Sequence, residues 1–191
     1  LLLVLEAAIR DLSFHRQLKH DIKRFNQSLH LLRESQFCVR TLQDATYLGS
    51  FLANFYPDPE RAVIGLTELL INGVEHGNLG ISYLEKGDLV QEGRWQEEVE
   101  RRQTLAEHAH KEVSVHYQRR DHRITVSICD DGTGFEWERY MEMDPSRASH
   151  PHGRGIAIAR TVYFDEMRFI GCGNAVECIN YLKKSEVFQV A

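Results

Sequence analysis

Apolar positions in the first third of the chain recur at Leu5, Ala8, Leu12, Leu18, Ile22, Phe25, Leu29 and Leu32, with no Gly or Pro before residue 33. This three-four step is that of one long helix carrying a coiled-coil seam. Residues 1–34 are therefore expected to form an amphipathic linker or dimerisation helix that pairs with a second copy or an upstream domain. The pattern then changes. "QFCVRTL" alternates as a first strand near 36–42, and "DATYLGSFLANFY" follows as a helix with Asp44 as its N-cap. Pro57 and Pro59 break the chain before a helix over about 60–76.

From Ile81 to Lys111 charge dominates, with Trp95, Val99 and Leu105 as sparse anchors, so one or two surface helices are expected as an insertion. "EVSVHYQ" and "RITVSICD" alternate on either side of "RRDH" and predict a hairpin, followed by the glycine turn "DGTGF". Residues 136–152 are polar and hold Pro145 and Pro151. "GRGIAIARTVY" predicts a glycine-started helix, and "EMRFIGCGNAVECINYL" a last strand pair around a turn with Gly171 and Gly173. The order β-α-α-insertion-β-β-loop-α-β-β lacks strict alternation, which favours an α+β two-layer sandwich over a doubly wound parallel sheet. The main domain is expected over 35–185.

Composition narrows the class. Of 191 residues, 42% are hydrophobic and 27% charged, enough for a real core in a soluble protein. A net charge of −5 lacks the basic footprint of phosphate-backbone binding, so no nucleic-acid partner is expected. The apolar start lasts five residues before Glu6, too short for a signal peptide or a bilayer span, and no membrane association is expected. It also lacks an initiator Met, as a piece of a longer protein would. Cys38, Cys129, Cys172 and Cys178 form no CxxC pair. Three have apolar or β-branched neighbours, which predicts buried, reduced thiols and a cytoplasmic location.

Three motifs carry candidate chemistry. At 100° per residue, Glu68, Asn72, Glu75 and His76 share one stripe of the 60–76 helix, opposite Ala62, Val63, Leu66, Leu69, Leu70, Gly73 and Val74. Glu68 and Asn72 stack one turn apart. An amide oxygen is a hard ligand for Mg²⁺, and a carboxylate can orient or deprotonate a nucleophile. Next, Asp130, Gly132 and Gly134 form D-x-G-x-G directly after a strand, a spacing shared with plain hairpin turns. Finally, Gly153 and Gly155 open an apolar helix whose free N–H groups would face an anion.

Together, in this order, the motifs resemble the ATPase superfamily of gyrases, heat-shock chaperones, histidine kinases and mismatch-repair proteins, the GHKL or Bergerat fold. Its N box resembles Glu68 to Asn78, its G1 box Asp130 to Gly134 and its G2 box Gly153 to Ile158. The resemblance covers about 35–183. It implies ATP and Mg²⁺ as cofactors, with Asp130 holding the adenine amino group, Asn72 the metal, and Glu68 acting as general base. It further implies that Gly153, Arg154, Gly155 and Ile156 wrap the phosphates, and that His76, Gly132 and Gly134 line the nucleotide site. Residues 136–152 would be a lid, with Arg147 or Arg154 reaching the γ-phosphate.

Within that superfamily, "LTELLINGVEHGN" resembles the E-x-x-x-N-x-x-x-H-G of the anti-sigma-factor serine kinases, and "FCVRTLQDATYLGSFLANFY" resembles the strand and helix before their N box. Their substrate is a serine or threonine on a STAS (anti-anti-sigma) domain, and a sigma factor can be a second partner. The insertion is longer than the short kinases carry and resembles versions fused behind response-regulator receivers. Two alternatives stay open. One is the ATPase half of a histidine kinase, with phosphate on His15, His20 or His30. The other is a non-catalytic ATP-binding module that sequesters a partner.

Overall fold

The computed structural model describes residues 2–29, 31–140 and 155–183. The chain divides into two compact units near residue 32. The first holds helix α1 (Leu2–Leu29), on which Leu12, Phe14 and Leu18 are exposed. No described helix is long and apolar enough to cross a membrane.

The second unit is α+β. Its strands are β1 (Glu34–Val39), β2 (Val113–Arg120), β3 (Arg123–Cys129), β4 (Glu166–Ile170) and β5 (Ala175–Tyr181), in sheet order β1-β2-β3-β5-β4. Every neighbouring pair is antiparallel. Register aligns Val115 with Phe37 and Ile128, Val126 with Tyr117 and Cys178, and Val176 with Ile128 and Phe169. Because side chains alternate with a period of two, these rows fall on one face. On that face Val113, Val115, Tyr117, Ile124, Val126, Ile128 and Cys178 are buried, whereas Ser114, Thr125 and Ser127 on the other are not.

Helices α2 (Leu42–Ala53) and α3 (Pro59–Asn72) cover the apolar face. The Phe55 ring lies 4.7 Å from Tyr117 and Phe51 lies 5.9 Å from Phe37, centre to centre. The result is a helix layer on a sheet layer. The N-cap of α2 is Thr41, not Asp44: its hydroxyl accepts the Asp44 N–H, and Asp44 as third helical residue returns a bond to the Thr41 N–H. That box ends β1 at Val39, earlier than the expected 42.

After Asn72 the α-helix widens into a π-helical turn over Gly73–Asn78. The insertion forms α4 (Tyr83–Gln91) and α5 (Trp95–Gln103), tied together by Arg102, which pairs with both Glu85 and Glu98. Helix α6 (Gly155–Ile158) runs directly into a second π turn, Ala159–Tyr163. The cysteines correct an expectation. Cys178 is buried, but Cys38, Cys129 and Cys172 are exposed. Phe37, Val39 and Ile128, the apolar neighbours of Cys38 and Cys129, point to the opposite face of the sheet.

Candidate functional site

Helix α3 buries Ala62, Leu66, Leu69 and Leu70 and turns Glu68 and Asn72 the other way. Asn72 Nδ2 donates to Glu68 Oε1 at 3.4 Å. Since the amide nitrogen is committed there, Oδ1 is the atom left for a hard cation. One turn on, His76 Nδ1–H donates to the Ile81 carbonyl at 2.5 Å, which leaves Nε2 as an acceptor.

Glu75 does not join this stripe. A π turn holds more residues per turn than an α-helix, so the 100° spacing stops applying beyond Asn72. Instead Glu75 is fully buried, and its carboxylate accepts from Lys86 Nζ at 2.5 Å and Trp95 Nε1 at 2.6 Å. Both donors come from the insertion.

Asp130 leaves the end of β3 and is held from several sides. Its backbone N–H donates to Asn174 O at 2.9 Å, and its own carbonyl accepts from Asn174 Nδ2 at 3.0 Å. Its Oδ1 takes the Gly132 N–H at 2.8 Å, closing the glycine turn. Next to it, the Asp131 N–H donates to Asn78 Oδ1 at 2.8 Å, clamping this turn to the end of the N box. Burial pushes the Asp130 carboxyl up to about 6, with Asp131 adding to the rise and the Gly132 hydrogen bond opposing it. Gly77 is the reason that carboxylate fits, because a Cβ there would overlap it.

These groups line one cleft of about 680 Å³. Glu68, Asn72 and His76 come from the helix layer, Asp130 and Gly134 from the turn after β3, and Gly155 and Ile156 from α6. Glu68 packs so tightly against Gly155 that a Cβ on residue 155 would collide with its carboxylate. Gly132 closes the Asp130 turn without itself lining the cleft. Gly153, Arg154 and Arg147 lie outside the described residues, as does the expected lid beyond Tyr140. The described start of that segment, Trp137–Tyr140, is a 3₁₀ turn. Trp137 stacks on Phe169 at 5.6 Å, and Phe135 meets the edge of Phe169 at 5.4 Å. Leu69, Ile128, Phe169 and Val176 give the cleft part of an apolar lining.

Sequence reasoning missed three contributors. Asn174 locks the Asp130 backbone, and its only local signal was an amide residue beside the turn glycines. Asn78 was read only as the end of a motif. The insertion, expected as a solvated elaboration, supplies Ile81, Ser82, Tyr83 and Lys86 to the wall. Among the described residues, no three of His, Cys, Asp and Glu converge as a metal cage. A scan of the chain against protein-family models gives no match, and a search of curated proteins gives none.

Proposed function

We propose that this chain is a cytoplasmic serine protein kinase of the anti-sigma-factor type with a Bergerat ATP-binding domain. In this reading it uses ATP and Mg²⁺ to phosphorylate a STAS-domain (anti-anti-sigma) partner, works as a homodimer through α1, and has a sigma factor as a second partner. The observation that carries the reading is the convergence of Glu68, Asn72, Asp130 and Gly155 on one cleft of nucleotide size. An antiparallel sheet with helices on one face supports the fold assignment.

Asp130 accepts a hydrogen bond from the adenine amino group, and the apolar lining suits the flat ring. The α6 start at Gly155 presents backbone N–H to phosphate. Asn72 Oδ1 fits Mg²⁺, which keeps few protein ligands beside water and phosphate and neutralises phosphate charge when bound. Glu68 takes the proton of the acceptor serine as its Oγ bonds to the γ-phosphorus and the bond to the ADP oxygen breaks.

The test is transfer of labelled γ-phosphate from ATP to the serine of a STAS protein encoded beside this chain. Acid-stable label on that serine is expected, and Glu68→Ala should reduce it by about 10²-fold or more while nucleotide binding persists. Acid-labile label on His15, His20 or His30 with an unmodified serine would replace this reading with the histidine-kinase one.

A further inference from the structure

Glu68 and Asp130 bring two carboxylates to the cleft, and Lys86 is the one lysine or arginine among the described residues that line it. Its Nζ sits 2.5 Å from Glu75 Oε2 and 5.6 Å from the centre of the Trp95 ring. The pair is unequal: the Lys86 side chain keeps 17% of its surface exposed and Glu75 keeps 0%. Glu75 is sealed, whereas Lys86 borders open space. An ammonium has three donors, of which Glu75 takes one.

We propose that Lys86 is a ligand-binding residue that donates to an anionic phosphate oxygen of the nucleotide. The 81–111 insertion is then part of the nucleotide site. This assignment rests on the adenine-nucleotide reading given above. Two physical arguments favour it. A free lysine is a strongly hydrated charge on a flexible stem, and ordering it on a ligand costs entropy. Glu75 and Trp95 hold this one in place before any ligand arrives. Secondly, a sealed carboxylate paired with a lysine is a poor way to pack a core, since apolar residues of similar volume do as well or better. Such a pair has a use when its cation serves a third group.

The test titrates adenosine, ADP and ATP, with Mg²⁺ present, into the full chain by calorimetry. Glu75→Gln and the double variant Glu75→Gln/Lys86→Met are compared, because neither leaves an unpaired carboxylate at position 75 and they differ only at Lys86. The double variant should bind ADP and ATP about tenfold or more weakly than Glu75→Gln, with adenosine changed by less than about twofold. Lys86→Arg should keep most of the ATP affinity. Equal ATP affinity in the two variants, or an equal loss for adenosine, would overturn the assignment and leave Lys86 as a structural partner of Glu75. Wild type that binds none of the three ligands would remove the adenine-nucleotide reading itself. Loss confined to neither variant, with wild-type binding intact, removes only Lys86.

Discussion

In the proposed function Asp130 would serve recognition at the expense of stability. It accepts best from an exocyclic amine when ionised, yet burial holds its carboxyl up at about 6, above the ordinary 3.8. A group whose pKa rises on folding stabilises the fold fully below the unfolded value, and that contribution disappears as pH climbs through the folded value. The ionised carboxylate is therefore a burden above pH 6. Asp130→Asn should raise the melting temperature of the ligand-free protein at pH 8, with the difference vanishing near pH 4, and should weaken adenosine binding at pH 8 by about tenfold or more. Unchanged melting at pH 8 would contradict this placement of the charge. In the wild type, adenosine affinity should fall as pH drops through 6. The D-x-G-x-G pattern was legible because its closing bond is local, from Gly132 back to Asp130. The need for Gly77 was not, since it arises from a carboxylate that only the fold brings beside it.

At the scale of elements, alternation read the strands well, because a sheet covered on one side imposes a strict period of two. The apolar neighbours of the cysteines were a poor guide to their burial, because alternation sends adjacent strand residues to opposite faces. The helical wheel correctly grouped Glu68 and Asn72 and failed at Glu75, where the backbone changes to a π turn. That turn sends Glu75 into the insertion, making α4 and α5 dependent on one buried carboxylate. Trp95→Phe keeps an aromatic ring, although a smaller one, and removes the Nε1 donor to Glu75. It should lower stability by about 1–3 kcal/mol, read as a reduced melting temperature. No change in melting would mean that Lys86 alone satisfies the carboxylate.

At the scale of the molecule, the chain is one helix and one α+β unit. The seam was legible as a period, and its described positions Leu12 and Leu18 are 59% and 46% exposed. A paired helix would cover such a stripe. Leu12→Glu together with Leu18→Glu should convert a dimer to a monomer in light scattering, and a wild-type monomer would remove α1 as a dimerisation element. In the proposed reading the side chains of Glu68, Asn72 and Asp130 and the backbone at Gly155, brought together from three segments, share one nucleotide. Calorimetric titration of the wild type and of Asn72→Ala with ATP, with and without Mg²⁺, tests it most directly. One ATP per chain, bound more tightly with Mg²⁺ in the wild type and indifferently to Mg²⁺ in Asn72→Ala, is the expected result. No binding of ATP by the wild type, or the same Mg²⁺ dependence in both proteins, would contradict it.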